Sequence, residues 1–426
     1  MPSPACARRS SAATRRPRGW TPYSWSSAMP ADWPRRRLGE VLRLEYGKSL
    51  PQRARRPGDV AVVGSAGVVG QHSQALLEGP GIVVGRKGSI GKVTWVANDF
   101  YPIDTTYFVD PVDGEADLRW AYHTLTREDL SRLNRATGIP GLNRDDVHAL
   151  VRPIPPLPEQ RAIAAVLDAI DDAIERTEAV IAATEELRRA LLHELLTRGV
   201  PGWHSEWKQV PGLGTVPACW DVTTLGEVCD HITKGATPTT FGHAWAEEAN
   251  GGHPFLRSEC VGDGEFIPSG LAWITLKARA SLSRSHVRGG DVLMTITGYV
   301  GRVCRLPGEF GDADINQHIA RIRVRSGETV KPEFAFQALR HPRIESILRG
   351  EITGIAYPQI GLAQVRALRI PVPSEDEQNH IVGALGAVDA ELAALGEEVS
   401  ASRGSKESLA DALLTGRVRT RAMVPG

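Results

Sequence analysis

Two glycine-flanked runs hold the side chains best suited to handling phosphate. Gly85-Arg86-Lys87-Gly88-Ser89-Ile90-Gly91-Lys92 sets cations beside glycines, the composition of a phosphate-cradling loop. Such a loop needs glycine five positions before its Gly-Lys pair and Ser or Thr after it; those places hold Arg86 and Val93. Gly47-Lys48-Ser49 fails the same way, with Leu42 where the first glycine belongs. A tight hairpin that exposes Arg86, Lys87 and Lys92 fits better, and plain surface charge is the competing reading. The sequence has no Gly-x-Ser-x-Gly, no His-Glu-x-x-His and no His/Cys cluster of metal-binding spacing. It also lacks the Asn/Asp-Pro-Pro-Tyr-type tetrapeptide of an adenine-methylating enzyme. His318, in Asn316-Gln317-His318, reads as structural rather than catalytic. Cys6, Cys219, Cys229, Cys260 and Cys304 form no Cys-x-x-Cys pair and read as reduced intracellular thiols. The expectation is a chain with no catalytic residue, no metal and no cofactor of its own.

Composition bounds what such side chains could be mounted on. A chain of 426 residues, 42% hydrophobic and 23% charged, has material for two or three globular domains. Formal net charge is zero, so bulk electrostatics advertise neither nucleic acid nor membrane. No apolar run approaches a membrane span, and a cytoplasmic location is expected. Residues 1–30 carry arginine, serine, proline and alanine without apolar periodicity. They read as a disordered tail, or as untranslated sequence ahead of a true start near Met29.

The elements that position the cations are written twice. Displaced by 218 positions, Val147–Thr197 meets its copy at Val365–Thr415: Pro153 and Pro155 fall on Pro371 and Pro373, Glu159-Gln160 on Glu377-Gln378, Leu195-Leu196-Thr197 on Leu413-Leu414-Thr415. A constant offset over some fifty residues marks an internal duplication. Each copy opens on a proline-rich extended piece, then places an acid in a first helical turn, where the macrodipole favours it. Apolar residues then step by four and three along Ile163, Leu167, Ile170, Ile174 and Ile181, and along Ile381, Leu385, Val388, Leu392, Leu395 and Val399. This is a coiled-coil seam. The first helix, to about Thr197, reaches roughly 57 Å at 1.5 Å per residue. Ser402, Gly404 and Ser405 sit at or beside the second seam, and a weak spot is expected there. Antiparallel pairing of the two helices is the simple arrangement.

Before each helix lies an α+β unit. Leu38-Gly39-Glu40-Val41 reappears as Leu225-Gly226-Glu227-Val228, after Trp33 and Trp220 respectively; Gly88–Val93 parallels Gly298–Val303, and Asp104 parallels Asp314 at the same spacing. Strands are expected over Val60–Val63, Gly81–Val84, Lys92–Val96, Tyr107–Val109, Asp291–Ile296, Arg302–Arg305 and Ile319–Val324. Short helices are expected near Leu118–Thr126 and Pro332–Leu339. Between matched ends the offset drifts from 187 to 218, so the middles differ. The division expected is residues 31–155 and 201–373 as globular domains, 156–200 and 374–418 as helical spacers, and 419–426 as a tail.

This arrangement resembles the specificity subunit of Type I restriction–modification systems, over roughly residues 33–418. The resemblance rests on Ile154-Pro155-Pro156-Leu157-Pro158-Glu159-Gln160-Arg161-Ala162-Ile163, Leu195-Leu196-Thr197-Arg198-Gly199, Tyr46-Gly47-Lys48-Ser49-Leu50-Pro51, Gly85–Gly91 and Ile315-Asn316-Gln317. Ser374-Glu375-Asp376 departs from it, standing where the first copy has Pro156-Leu157-Pro158. The resemblance implies an α+β chain with two target-recognition domains of mixed β-sheet plus helices. A long antiparallel two-helix coiled coil would separate them in a pseudo-two-fold repeat. Each domain would read half of a split, asymmetric DNA target, and the helices would dock two methyltransferase subunits that bring S-adenosylmethionine. Restriction subunits, with ATP and Mg, could join. DNA contacts are sought at Lys48, Arg53, Arg86, Lys87 and Lys92, and at Lys234, Thr237, Arg257, Lys277 and Arg302, from charge and turn residues. The rival reading is a two-lobed coiled-coil adaptor that binds proteins and has no DNA role. A self-sufficient methyltransferase or nuclease is disfavoured by the missing motifs.

Overall fold

The computed structural model describes residues 33–133, 141–353 and 358–420, so the expected tail at 1–30 and residues 421–426 lie outside the described residues. The chain divides into two compact units, each described by itself. The first comprises Met1–Thr177 with Glu398–Gly426, the second Glu178–Glu397.

In the first unit, four antiparallel strands lie in the order Leu42–Tyr46, Thr106–Pro111, Gly81–Gly85, Val93–Val96. A second sheet orders Gly67–His72, Val60–Gly64 and Phe100–Pro102, the last two parallel. Leu42, Leu44, Ile82, Val84, Tyr107 and Val109 bury one core with Trp120, Ala121 and Leu125 of the helix Leu118–Arg127. That helix starts where Asp117 accepts hydrogen bonds from the amides of Arg119 and Trp120. A ribbon pairing Arg35–Arg37 with Val151–Pro153 brings the beginning and end of the sheet-bearing segment side by side.

The second unit repeats the first sheet strand for strand, as Cys229–Lys234, Ile319–Val324, Val292–Thr295 and Val303–Arg305. Its ribbon pairs Asp221–Thr224 with Arg369–Val372. The second sheet has five strands, ordered Trp245–Ala246, Leu271–Ile274, His253–Leu256, Asp312–Ile315, His286–Arg288. The parallel pair survives as His253–Leu256 with Asp312–Ile315.

Both expected helices form, over Leu157–Thr197 and Glu375–Leu414. Within the first unit Ile163 and Leu167 share a core with Leu413 and Leu414, and Asp171 accepts from Lys406. Within the second, Leu192, Leu195 and Leu196 share one with Ile381 and Leu385, and Arg188 donates to Asp389. The helices are therefore antiparallel inside each unit. Ile174 and Val399 are buried, while Ile170, Ile181, Val388, Leu392 and Leu395 are half-buried, as a two-helix seam requires. The expected weak spot does not break the second helix, which is continuous through Ser402, Gly404 and Ser405. Gly404 faces open space, so its missing side chain leaves no hole in the packing.

The repeated Glu-Gln pair does more than answer the helix dipole. Glu159 and Glu377 are buried, and each accepts from a tryptophan indole, Trp33 at 3.1 Å and Trp220 at 2.8 Å. Each also meets the segment that follows the other helix. Glu159 is held by Arg419 at 2.7 and 3.0 Å, Glu377 by His204 at 2.6 Å. Gly199, at φ 77°, turns the chain back so closely that a Cβ there would lie 2.5 Å from Glu377 Oε1. Gln160 accepts from the Asp117 amide and donates to the carbonyls of Glu115 and Pro155; Gln378 does the same with Lys331, Thr329 and Pro373. Helix starts, tryptophans and sheet-to-helix loops are thus locked alike in both units.

Candidate nucleic-acid interface

In each unit one short segment carries the chain from the second sheet to the first, Ile103–Thr105 and Asn316–His318. The amides of Ile103 and Asn316 donate to Val63 (3.0 Å) and Leu256 (3.1 Å), which sets the two segments in register. Asp104 therefore corresponds to Gln317, and Asp314 to Tyr101. The pairing of Asp104 with Asp314 read from spacing is corrected: Asp104 is exposed on the connecting segment, whereas Asp314 is fully buried mid-strand. The second unit's longer middle shifts the register.

The glycine-flanked run is a repeated turn. Gly85 N donates to Lys92 O (2.8 Å) and Gly91 N to Gly85 O (2.8 Å); Thr295 N donates to Arg302 O (2.9 Å) and Gly301 N to Thr295 O (2.9 Å). It is the expected hairpin and no phosphate-cradling loop. In the first unit the amides of Arg86 and Lys87 donate to Thr105 O, Lys48 N to Pro102 O, and Lys92 Nζ to Ala66 O at 2.6 Å. Lys48, Arg86, Lys87 and Lys92 thus gather around Ile103–Thr105. Arg53 lies on the short 3-10 turn Gln52–Ala54, and no described contact ties it to that edge. Two residues that sequence reasoning passed over complete the group. The half-exposed ring of Tyr46 has the Arg86 guanidinium at 4.9 Å and that of Arg144 at 5.2 Å. Burial, with Tyr46 adding to it, pushes the Tyr107 hydroxyl above its ordinary range, and it donates to Leu142 O.

In the second unit, Gly235 N donates to Asn316 O, Thr237 Oγ1 bonds Gln317, and Gln317 Nε2 lies 2.9 Å from His318 Nε2. Lys234 and Thr237 therefore flank the connecting segment, and Arg257 follows Leu256 beside it, its Nε donating to Gly270 O. Arg302 stacks on Tyr299 at 4.2 Å, and that ring is 74% exposed. Lys277 is exposed on the helix Leu276–Ser281 and is not tied to this edge by a described contact. Tyr299 and Gln317 were missed as candidates. A bulky aromatic between two positive-φ glycines, Gly298 and Gly301, was the available signal for the first. The first unit thus gathers guanidinium and ammonium groups, and the second adds the Gln317 side-chain amide, donor types of the kind that suit base edges and phosphate.

His123, Asp168 and Asp171 are the group among the described residues close enough to hold a metal ion. Their charges are already matched: Arg119 Nε lies 2.9 Å from both Asp168 oxygens, His123 Nε2 2.7 Å from one, and Lys406 bonds Asp171. That is an ion-pair network. Burial pushes the thiols of Cys229 and Cys304 up to about 12 and that of Cys260 to about 11, which leaves them poor nucleophiles.

The model for the Type I restriction modification DNA specificity domain matches residues 30–185 and again 217–400. The chain belongs to this family. It is a non-catalytic DNA specificity subunit of a Type I restriction–modification system with two recognition domains, and its family assembles with other subunits of that system. It is similar to the MjaVIII specificity subunit of Methanocaldococcus jannaschii, 24% identical over 72% of this chain and 71% of that one. To the EcoBI specificity subunit of Escherichia coli it is 24% identical over 71% and 65%. Among solved structures it resembles the Type I S subunit from M. genitalium, with a TM-score of 0.59 at 19% identity over 90% of this chain and 96% of that one. A chain from a structure of Type I system assembly gives 0.53 at 18%, over 92% and 99%. These two likenesses bear on the α+β fold. Among the described residues no helix is long and apolar enough to cross a membrane.

Proposed function

We propose that each recognition domain reads one half of a bipartite, asymmetric duplex target through the edge around its connecting segment. In the first domain this edge is Lys48, Arg86, Lys87 and Lys92 with Tyr46 and Arg144. In the second it is Lys234, Thr237, Arg257, Gln317 and Arg302 with Tyr299. The observation that carries the reading is the repeated turn, Gly85–Lys92 and Thr295–Arg302, whose backbone is bonded to the equivalent connecting segment in both units, Arg86 N to Thr105 O and Ile296 N to His318 O. Arg53 and Lys277 are proposed as outlying phosphate contacts.

The long helices act as a spacer that sets the unread gap between the half-sites, so that 31–155 and 201–373 serve as readers and 156–200 and 374–418 as the ruler. They also dock two methyltransferase subunits. S-adenosylmethionine resides in those partners, and ATP and Mg in any restriction subunit; the assembly works in the cytoplasm. Filter binding of the methyltransferase-bound chain tests the DNA role. A steep fall of affinity with salt supports it, and a flat response supports a protein-binding adaptor instead. The ruler has its own test. Four residues inserted at matching places in both helices add about 6 Å and should lengthen the methylated target's gap by roughly two base pairs, with both half-sites unchanged. An unaltered gap refutes it.

A further inference from the structure

At places 218 residues apart, Asp171 and Asp389 each take a cation from the opposite helix, Lys406 in the first unit and Arg188 in the second. The first unit adds a second carboxylate one turn earlier, Asp168, matched by Arg119, so two acids face two permanent cations. In the second unit Gly386 stands in the place of Asp168. There Asp389 serves both Arg188 and Arg340. Those guanidinium side chains are only 13% and 6% exposed. Arg188 Nη2 and Arg340 Nε are buried without a hydrogen-bond partner. Two buried cations bonded to one carboxylate, with Asp263 adding only a longer-range attraction to Arg340 and two donors unfilled, form a costly arrangement that a bound anion relieves.

Both arginines line a cavity of about 550 Å³ within the second unit, a volume suited to a small ligand. Arg189, Arg302 and Arg349 line it too, against two acids, Asp263 and Glu345. Glu345 is already spent on Arg349. We infer that this cavity binds a phosphate group. Arginine forks pair bidentately with phosphate oxygens, and a lining of arginines without lysine matches that planar recognition. Two sources carry the same chemistry, a backbone phosphate of duplex DNA or a free di- or triphosphate. The inference holds for either and goes beyond the half-site reading.

Calorimetric titration of the full chain with pyrophosphate at low salt tests it. The wild type should bind. Gln337 is buried, accepts from Arg340 Nη1 at 3.2 Å and donates to Asp389 at 3.3 Å. Gln337→Glu should therefore supply the missing acid internally and weaken binding by about tenfold. Should that variant fold poorly, Arg189→Gln with Arg349→Gln on the exposed rim should weaken binding several-fold with an unchanged melting temperature. Displacement of pyrophosphate by a duplex would assign the phosphate to DNA, and simultaneous binding would assign it to a free ligand; both support the site. Absence of binding, or equal affinity in wild type and all variants, overturns it.

Discussion

The two recognition units share a first sheet strand for strand and differ in the second, three strands against five. What is common is what touches the long helices: the ribbons, the tryptophan–glutamate contacts and the glutamine bridges. What differs is the second sheet and one charge cluster on the helices, where Gly386 replaces Asp168. Tyr101 in one unit is answered by buried Asp314 in the other. The comparison teaches that duplication preserved the parts that join reader to rod and left the readers free to diverge.

The largest expected effect tests the shared part. Trp33→Ala and Trp220→Ala each remove a buried indole and leave Glu159 or Glu377 short of a donor, and should each cost about 3–5 kcal/mol. Urea denaturation should show similar losses for the two; a large loss at one site alone would break the claimed equivalence. The divergent part is probed next. Arg86→Ala with Lys92→Ala should relax one half-site of the methylated target, and Arg302→Ala with Tyr299→Ala the other, by about 1–3 kcal/mol per lost base contact. Methylation mapping reads this directly, and relaxation of both halves by either pair would contradict separate readers.

A third difference concerns pH. Burial first, and then repulsion from Asp312, pushes the Asp314 carboxyl up to about 6 despite His286 and Arg279 nearby. His253 lies 3.1 Å away and burial lowers its pKa. Because the folded Asp314 holds its proton above the ordinary carboxylate value, its contribution is fully present below about pH 4 and is lost as pH rises through about 6. His253 opposes this, losing stability as pH falls through its ordinary range. The stability of wild type relative to Asp314→Asn should therefore decline by about 1–3 kcal/mol from acid to neutral pH. The smallest effect sharpens the seam. Gly404→Ala fills open space in a helix interior and should stabilise by about 0.5–1 kcal/mol in thermal melts.

The sequence spoke most clearly where neighbours in space are neighbours in the chain. Period-3.5 apolar steps such as Ile163–Leu167–Ile170 revealed the seam, because a helix face is a local pattern. Runs such as Gly81–Val84 revealed central strands, because burial on both faces demands continuous apolar residues. His286–Arg288 and Trp245–Ala246 escaped, since edge strands of two or three residues carry no period. The edges proposed for recognition were half legible. Arg86, Lys92 and Arg302 were found through their glycines, but Tyr46, Arg144 and Gln317 reach the site only when distant segments fold together. Glu159 and Glu377 looked like helix-dipole acids because Trp33 and Arg419 are remote in sequence.

The two ribbons have a consequence for inheritance. Each unit's sheet-bearing segment enters and leaves through strands paired side by side, Arg35–Arg37 against Val151–Pro153 and Asp221–Thr224 against Arg369–Val372. Everything between those fixed ends is a closed excursion of the polypeptide. A gene exchange with breakpoints in the ribbons would therefore replace one half of the vocabulary while leaving Trp33 with Glu159, or Trp220 with Glu377, in place.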